Sequence, residues 1–307
     1  MAVGAAVEEA AVARTSPLHG VSVGWRPEIA GVGIGWRPEI AGVIATLPEL
    51  SFVEVIAESL GHYGSFAVDP EIAKLHNRGI DAIPHGIRLS LGSATGVETE
   101  RIAHLASCAE ALNSPLVSEH IAFVRAGGIE AGHLLPMPRT REALEVLTAN
   151  IRKTQANLPV PLAVENVAAL FEWPDAEFTE SEFLAELVER TGVLLLLDVA
   201  NLYANARNCG RDPFDELERM PVEHVAYCHV AGGAESDGMY HDTHTHPVPE
   251  AVLDLVTAFA EKRRDAGLGV PAFMLERDGD YPPEAELRAE YEAIRAATTQ
   301  PLPTAAR

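Results

Sequence analysis

The chain has 307 residues, 47% of them apolar, and its 45 acidic against 23 basic side chains leave a formal net charge of −22. A surface of that sign repels phosphate backbones and anionic bilayers, which argues against nucleic-acid and membrane partners, while the apolar fraction is ample for one large core. Cys108, Cys209 and Cys228 are odd in number and form no CxxC, which excludes a disulfide framework and suits a reducing compartment.

Residues 1–19 have no basic start followed by an apolar run, and no stretch of about 18 apolar residues occurs anywhere. They are expected as a disordered arm, and the expected location is the cytoplasm. Residues 20–30 and 31–41 read GVSVGWRPEIA and GVGIGWRPEIA, a tandem duplication that does not recur and so is no solenoid. The second copy runs into the next element and is taken as the working strand, the first as a duplicated lead-in. Eight short apolar runs then predict strands at 31–36, 51–58, 81–90, 115–123, 160–167, 192–201, 223–232 and 270–277. Amphipathic stretches over 98–112, 141–157, 181–191 and 249–266 predict helices between them. Near-continuous apolar strands alternating with helices imply a parallel sheet covered on both sides, and eight such units imply a (β/α)8 barrel over residues 20–296. GVGIGW lacks the GxGxxG continuation, which disfavours a dinucleotide-binding open sheet. The long connections 125–140 and 231–248 are expected at the active end, and residues 297–307 as a disordered tail.

The strand ends carry the chemistry. Strand two is expected to end in Glu58; the next six carry His85, His120, Glu165, Asp198, His229 and Glu276. The C-terminal edge of barrel strands is where sites are built, and side chains two apart share a face. Glu165 therefore goes with Ala163, Asp198 with Leu196, and His229 with Tyr227, while Cys228 turns the other way and packs under a helix. So many ionisable groups at one barrel mouth are costly unless metal ions offset them, and imidazole with carboxylate suits iron, manganese or zinc. The loop run His241–His246 adds Asp242 and His244, two apart in an extended segment. Asn201, near Asp198, adds an amide oxygen. Arg37, Glu54, Glu58, Tyr203 and Arg277 are candidates for contact with substrate or support of the ligands.

The motifs GVGIGWRPEI, PHGIRLSLG, SEHIAF, HLLPMP, AVENV, LLLDVANLY, HVAGG, DTHTHPV and LERD occur in order. In these the chain resembles the DUF692 (UPF0276) family of multinuclear non-heme iron-dependent oxidative enzymes, over residues 31–295. The resemblance implies a xylose isomerase-like TIM barrel that binds two or three irons and uses O2 to modify cysteines in ribosomally made precursor peptides, as in methanobactin and thiaglutamate pathways. It often implies a small partner protein that binds the leader peptide. Carried over by motif, one iron takes His85, His120 and Glu165; a second shares Glu165 and adds Asp198, His229 and Glu276; a third uses Asn201, Asp242 and His244. Catalytic roles fall on Asp242, His244 and Glu276, and residues 136–138 are expected in a wall of the peptide groove. Two rivals stay open: a zinc or manganese isomerase or hydrolase of the same barrel superfamily, and a non-catalytic metal- and peptide-binding maturation factor.

Overall fold

Period-two alternation of the strands builds a closed barrel with two unlike layers inside. In the computed structural model, which describes residues 29–62, 65, 66 and 68–300, the barrel strands are β1 (Val32–Gly35), β2 (Leu50–Ile56), β3 (Asp81–Gly86), β4 (Val117–His120), β5 (Leu162–Glu165), β6 (Leu194–Asp198), β7 (Val225–Val230) and β8 (Ala272–Leu275). Each pairs in parallel with its sequence neighbours, and β1 closes the ring on β8. Seven fall within the predicted runs, and β2 starts one residue before its run, at Leu50. The predicted helices form as Thr99–Leu112, Arg141–Gln155, Glu180–Thr191 and Glu250–Asp265. Local signals set their ends; Thr179 and Glu182, for example, form a reciprocal capping box at the start of Glu180–Thr191.

Outward-facing strand residues such as Val53, Val164, Leu197, Cys228 and Phe273 join the helices in the main core. Cys228 is thus turned away from the barrel interior, as alternation requires. The inward residues form a second apolar cluster that includes Phe52, Ile83, Leu116, Ala163, Leu196, Tyr227 and Met274. This plug fills the lower interior, as barrel cores do. Two residues further along the same strands come Glu54, His85, Ser118, Glu165, Asp198, His229 and Glu276. The candidate site therefore rests directly on a close-packed floor, and the same alternation that buries the plug aims the polar groups upward.

Ile29, at the end of the first repeat copy, also joins the inner cluster. Residues 1–28, which hold the expected arm and the rest of that copy, lie outside the described residues, as does 301–307 of the expected tail. The last helix runs Glu284–Ala297. Among the described residues no helix is long and apolar enough to cross a membrane.

The two long connections are hairpins over the barrel mouth. Ala122–Ala126 pairs with Ile129–Pro136, and Gly233–Ser236 with Met239–Asp242.

Candidate metal centre

Glu165, at the end of β5, is the hub. One of its carboxylate oxygens lies 3.4 Å from His85 Nε2 and 3.2 Å from His120 Nε2; the other lies 3.2 Å from His229 Nδ1. Glu276 approaches His229 Nδ1 at 3.1 Å and His244 Nδ1 at 3.5 Å. Four groups of potential ligand atoms result, each with its atoms within 4.8 Å of one another: His85–His120–Glu165; Glu165–Asp198–His229–Glu276; Asp198–Asp242–His244; and His244–Glu276–Asp278. The groups share members, so they form one contiguous centre.

The chemistry of this donor set fits metal ions. Among the described residues, eleven buried side-chain nitrogen and oxygen atoms have no hydrogen-bond partner, and six of them belong here: Glu165 Oε2, Asp198 Oδ2, Asn201 Oδ1, His229 Nδ1, Asp242 Oδ1 and Glu276 Oε2. Buried polar atoms are rarely left so, and cations would satisfy all of them at once.

Outer partners fix which atom of each side chain faces the centre. His120 Nδ1 lies 3.2 Å from the Gly86 carbonyl, leaving Nε2 to the centre. Glu54 accepts from Tyr227 OH at 2.6 Å and sits 2.9 Å from His229 Nε2. Ser118 Oγ lies 2.7 Å from both the Tyr227 hydroxyl and His85 Nδ1. The tyrosine has one proton, and the carboxylate is its stronger acceptor, so the serine donates to the tyrosine oxygen and accepts from His85. One buried chain thus orients two histidines, leaving His85 Nε2 and His229 Nδ1 for the centre. Asn166 exchanges hydrogen bonds with the backbone of Asp198 (2.9 and 3.1 Å), and its carbonyl accepts from Asn201 Nδ2 at 3.0 Å. The Asn201 oxygen is thereby turned inward.

The field inside is strongly negative. Burial opposes the charged form of His229, yet Glu54, Glu165 and Glu276 hold its pKa well above the usual range. His244 behaves likewise through Glu276 and Asp242, and His120 is raised to about 9 against its burial, by Glu165 and Glu119. His85 moves the other way, because burial dominates. A site that holds protons on imidazoles this firmly is also one that attracts cations, and a metal would displace those protons.

The expected end of strand two needs correction, and the other candidates take the places that follow. β2 stops at Ile56 and Glu58 lies in a 3-10 turn. Its carboxylate caps the Ile87 N–H at 3.2 Å and belongs to none of the four groups; Glu54, four residues earlier, is the β2 residue that reaches the centre. Burial and the neighbouring Glu119 raise the Glu58 pKa to about 7. Its folded value exceeds the unfolded one, so its contribution to stability is complete below about pH 4.5 and is lost as pH rises through 7. Glu58→Gln is expected to flatten that fall and to exceed the wild type in stability at pH 8 by on the order of 2 kcal/mol, read from urea unfolding at pH 5 and 8. Parallel curves for the two proteins would refute this.

Arg37 stands where a support of the ligands would: it pairs with Asp278, which in turn holds His244 Nδ1 at 2.9 Å. Arg277, one residue past Glu276, faces outward to Glu290 at 3.3 Å. Tyr203 packs edge-on against Tyr240 with ring centres 5.1 Å apart and accepts from Arg207 at 3.0 Å. Of residues 136–138, Pro136 lines a groove with Tyr240 and Asp242, while Met137 is buried against Gly92. Sequence reasoning missed Ser118, Asn166 and Asp278 as supports. Two carried a signal: Ser118 shares a strand face with His120, and Asp278 lies two beyond Glu276.

His244 adopts φ 55°, a left-handed conformation that costs energy for a non-glycine residue. It is held there because its N–H donates to the Gly232 carbonyl at 2.9 Å and its carbonyl accepts from Asp278 N–H at 3.0 Å. A β-carbon on Gly232 would overlap the backbone carbonyl oxygens of His246 and Pro247. Gly232→Ala is therefore expected to displace Asp242 and His244 and to weaken metal binding at that group by about tenfold or more, with the His85–His120 group retained. Metal titration monitored by competition with a chelator measures it.

Residues 31–299 match the family model described as "RiPP precursor modification enzyme MbnB/TglH/ChrH". The chain belongs to this family. It is 52% identical over 300 residues to a UPF0276 protein of Streptomyces avermitilis, covering 94% of this chain and 57% of that one, so it spans little more than half of that relative's length. A UPF0276 protein of Caulobacter vibrioides is 37% identical over 249 residues, 81% of this chain and 86% of that one. Among solved structures, the 3-keto-D-glucoside 4-epimerase of Escherichia coli superposes with a TM-score of 0.57 at 12% identity, covering 86% of this chain and 98% of that one. The D-psicose 3-epimerase of Clostridium cellulolyticum gives 0.54 at 12%, covering 87% and 96%. At such identities the family's barrel is shared and nothing more.

Proposed function

We propose that this chain is an iron-dependent oxidoreductase that uses O2 to modify cysteine residues of a ribosomally made precursor peptide. The observation that carries the reading is the convergence of six partnerless buried ligand atoms on Glu165 and its neighbours, in a chain whose family is one of precursor-peptide modification enzymes. Iron would be held by His85, His120 and Glu165; by Glu165, Asp198, His229 and Glu276; and by Asp198, Asn201, Asp242 and His244. Bound there, it would supply a redox centre with affinity for thiolate and O2.

The chain's own residues do the rest. The packed floor excludes water from below, and Glu54, Ser118 and Tyr227 hold His229 and His85 in fixed tautomers. Asp242 and His244 are less buried than Glu165, Asp198 and His229, so the peptide enters from their side. Asp242, His244 and Glu276 are the catalytic candidates because they border that entrance and can hold or pass a proton. A small partner that binds the leader peptide completes the reading, and the cytoplasm is its setting.

The test is elemental analysis of protein expressed with added iron and purified without oxygen, followed by O2 uptake with the cysteine-bearing peptide encoded beside the gene. Bound iron with peptide-dependent uptake is expected. Stoichiometric zinc or manganese without iron would favour an isomerase or hydrolase. Iron and peptide bound without uptake would favour a maturation factor.

A further inference from the structure

Beside the centre, a groove of about 400 Å³ runs between the Ile129–Pro136 strand, the segment around Leu170 and Phe171, and the Met239–Asp242 strand, with Asp242 in its lining. That volume lies within the usual range of ligand sites. Leu170 and Phe171 are 50% and 52% exposed and Trp173 36%, three large apolar side chains within four residues, with the Phe171 and Trp173 rings edge to face at 5.3 Å. Such clustering marks a binding surface rather than scattered exposure.

The groove's two strand walls differ in what their backbones offer. At Tyr240 the N–H donates to Asn208 Oδ1 at 2.7 Å and the carbonyl accepts from Asn208 Nδ2 at 2.9 Å, so this edge is already occupied. On the other wall, Leu135 pairs with Phe123 and Pro136 with Ala122. Pro136 has no N–H, so Leu135 makes the ladder bonds to Phe123. Ala122 and Pro136 turn their carbonyls away, to Gly92 N–H at 2.9 Å and to the Trp173 indole at 3.0 Å. In a trans peptide the Leu134 carbonyl points opposite to the Leu135 N–H. It therefore faces outward on the same edge as Pro136.

We propose that this groove seats the core of the precursor peptide in extended form, its main chain against the outward Leu134 carbonyl and its apolar side chains on Leu170 and Phe171, so that its cysteine reaches the centre past Asp242. The occupant follows from three features: the outward Leu134 carbonyl takes an N–H of an extended main chain, the apolar rim takes its side chains, and the groove opens onto the centre through a shared residue, Asp242. The inference rests on the peptide-modification reading above.

The test uses the metal-loaded full chain and a fluorescein-labelled synthetic copy of the cysteine-bearing peptide encoded beside the gene, with binding read by anisotropy. Phe171→Asp is expected to weaken binding about tenfold or more at unchanged metal content. Ile129→Asp, which changes the 74% exposed Ile129 outside the groove, is the control and should bind as the wild type does. In a backbone N-methyl scan of the peptide, affinity is expected to fall most at the one position near the cysteine whose N–H meets the Leu134 carbonyl. Binding and O2 uptake that ignore both Phe171→Asp and the scan would overturn the groove while the peptide reading stands. A metal-loaded chain that neither binds the peptide nor consumes O2 with it would overturn both.

Discussion

Glu165→Ala is expected to lower bound iron to about one per chain or fewer and to reduce peptide-dependent O2 uptake by roughly 100-fold or more, because this carboxylate is the only member common to the first two ligand groups. Its oxygens face His85 and His120 on one side and His229 on the other. Its own pKa is lowered to about 2: burial opposes the shift, but His120 and His229 outweigh it. Without it, three buried imidazoles lose their shared counter-charge. The His120 pKa should therefore fall from about 9, a second readout by histidine NMR that requires no catalysis. Circular dichroism of the variant is expected to match that of the wild type. Retention of the full metal content would refute the hub role.

Glu54→Gln is the next largest expected effect and discriminates between groups. The amide keeps the shape but removes the negative charge that accepts from Tyr227 and sits 2.9 Å from His229 Nε2. Outer partners of metal-binding histidines typically contribute 10–100-fold in affinity. Metal at the His229 group is expected to weaken by about that factor, with a smaller loss at His85, which Glu54 reaches only through Tyr227 and Ser118. Tyr227→Phe interrupts the same chain without touching the charge and should fall between wild type and Glu54→Gln. Equal affinities in all three proteins would show that the network is packing alone.

Much of the candidate centre was legible because barrel strands obey a period of two and their C-terminal ends open on one face. Glu165, Asp198 and His229 each follow an inner-plug residue by two positions, and that parity is written in LAVE, LLLLD and VAYCHV. The same rule places Asp278 with Glu276 and turns Arg277 away. Glu58 failed for a different reason: composition does not show where β2 yields to a 3-10 turn, so a carboxylate that caps a loop read as one at the mouth. The family motifs contributed the grouping of ligands, which spacing alone left open.

By itself, then, the sequence determined the eight strands, their apolar faces, the ring of His, Glu and Asp at their ends and the family. These depend on local periodicity and on motifs a few residues long. Only the tertiary structure decided which of these groups meet. Glu54 and His229 are 175 residues apart, and closing β1 onto β8 makes one interior from all the strands. The tertiary structure also decided that Arg37 pairs with Asp278 and that Leu170 and Phe171 line a groove that Asp242 shares with the centre. Those outcomes follow from how separate elements pack against one another, which no local pattern encodes.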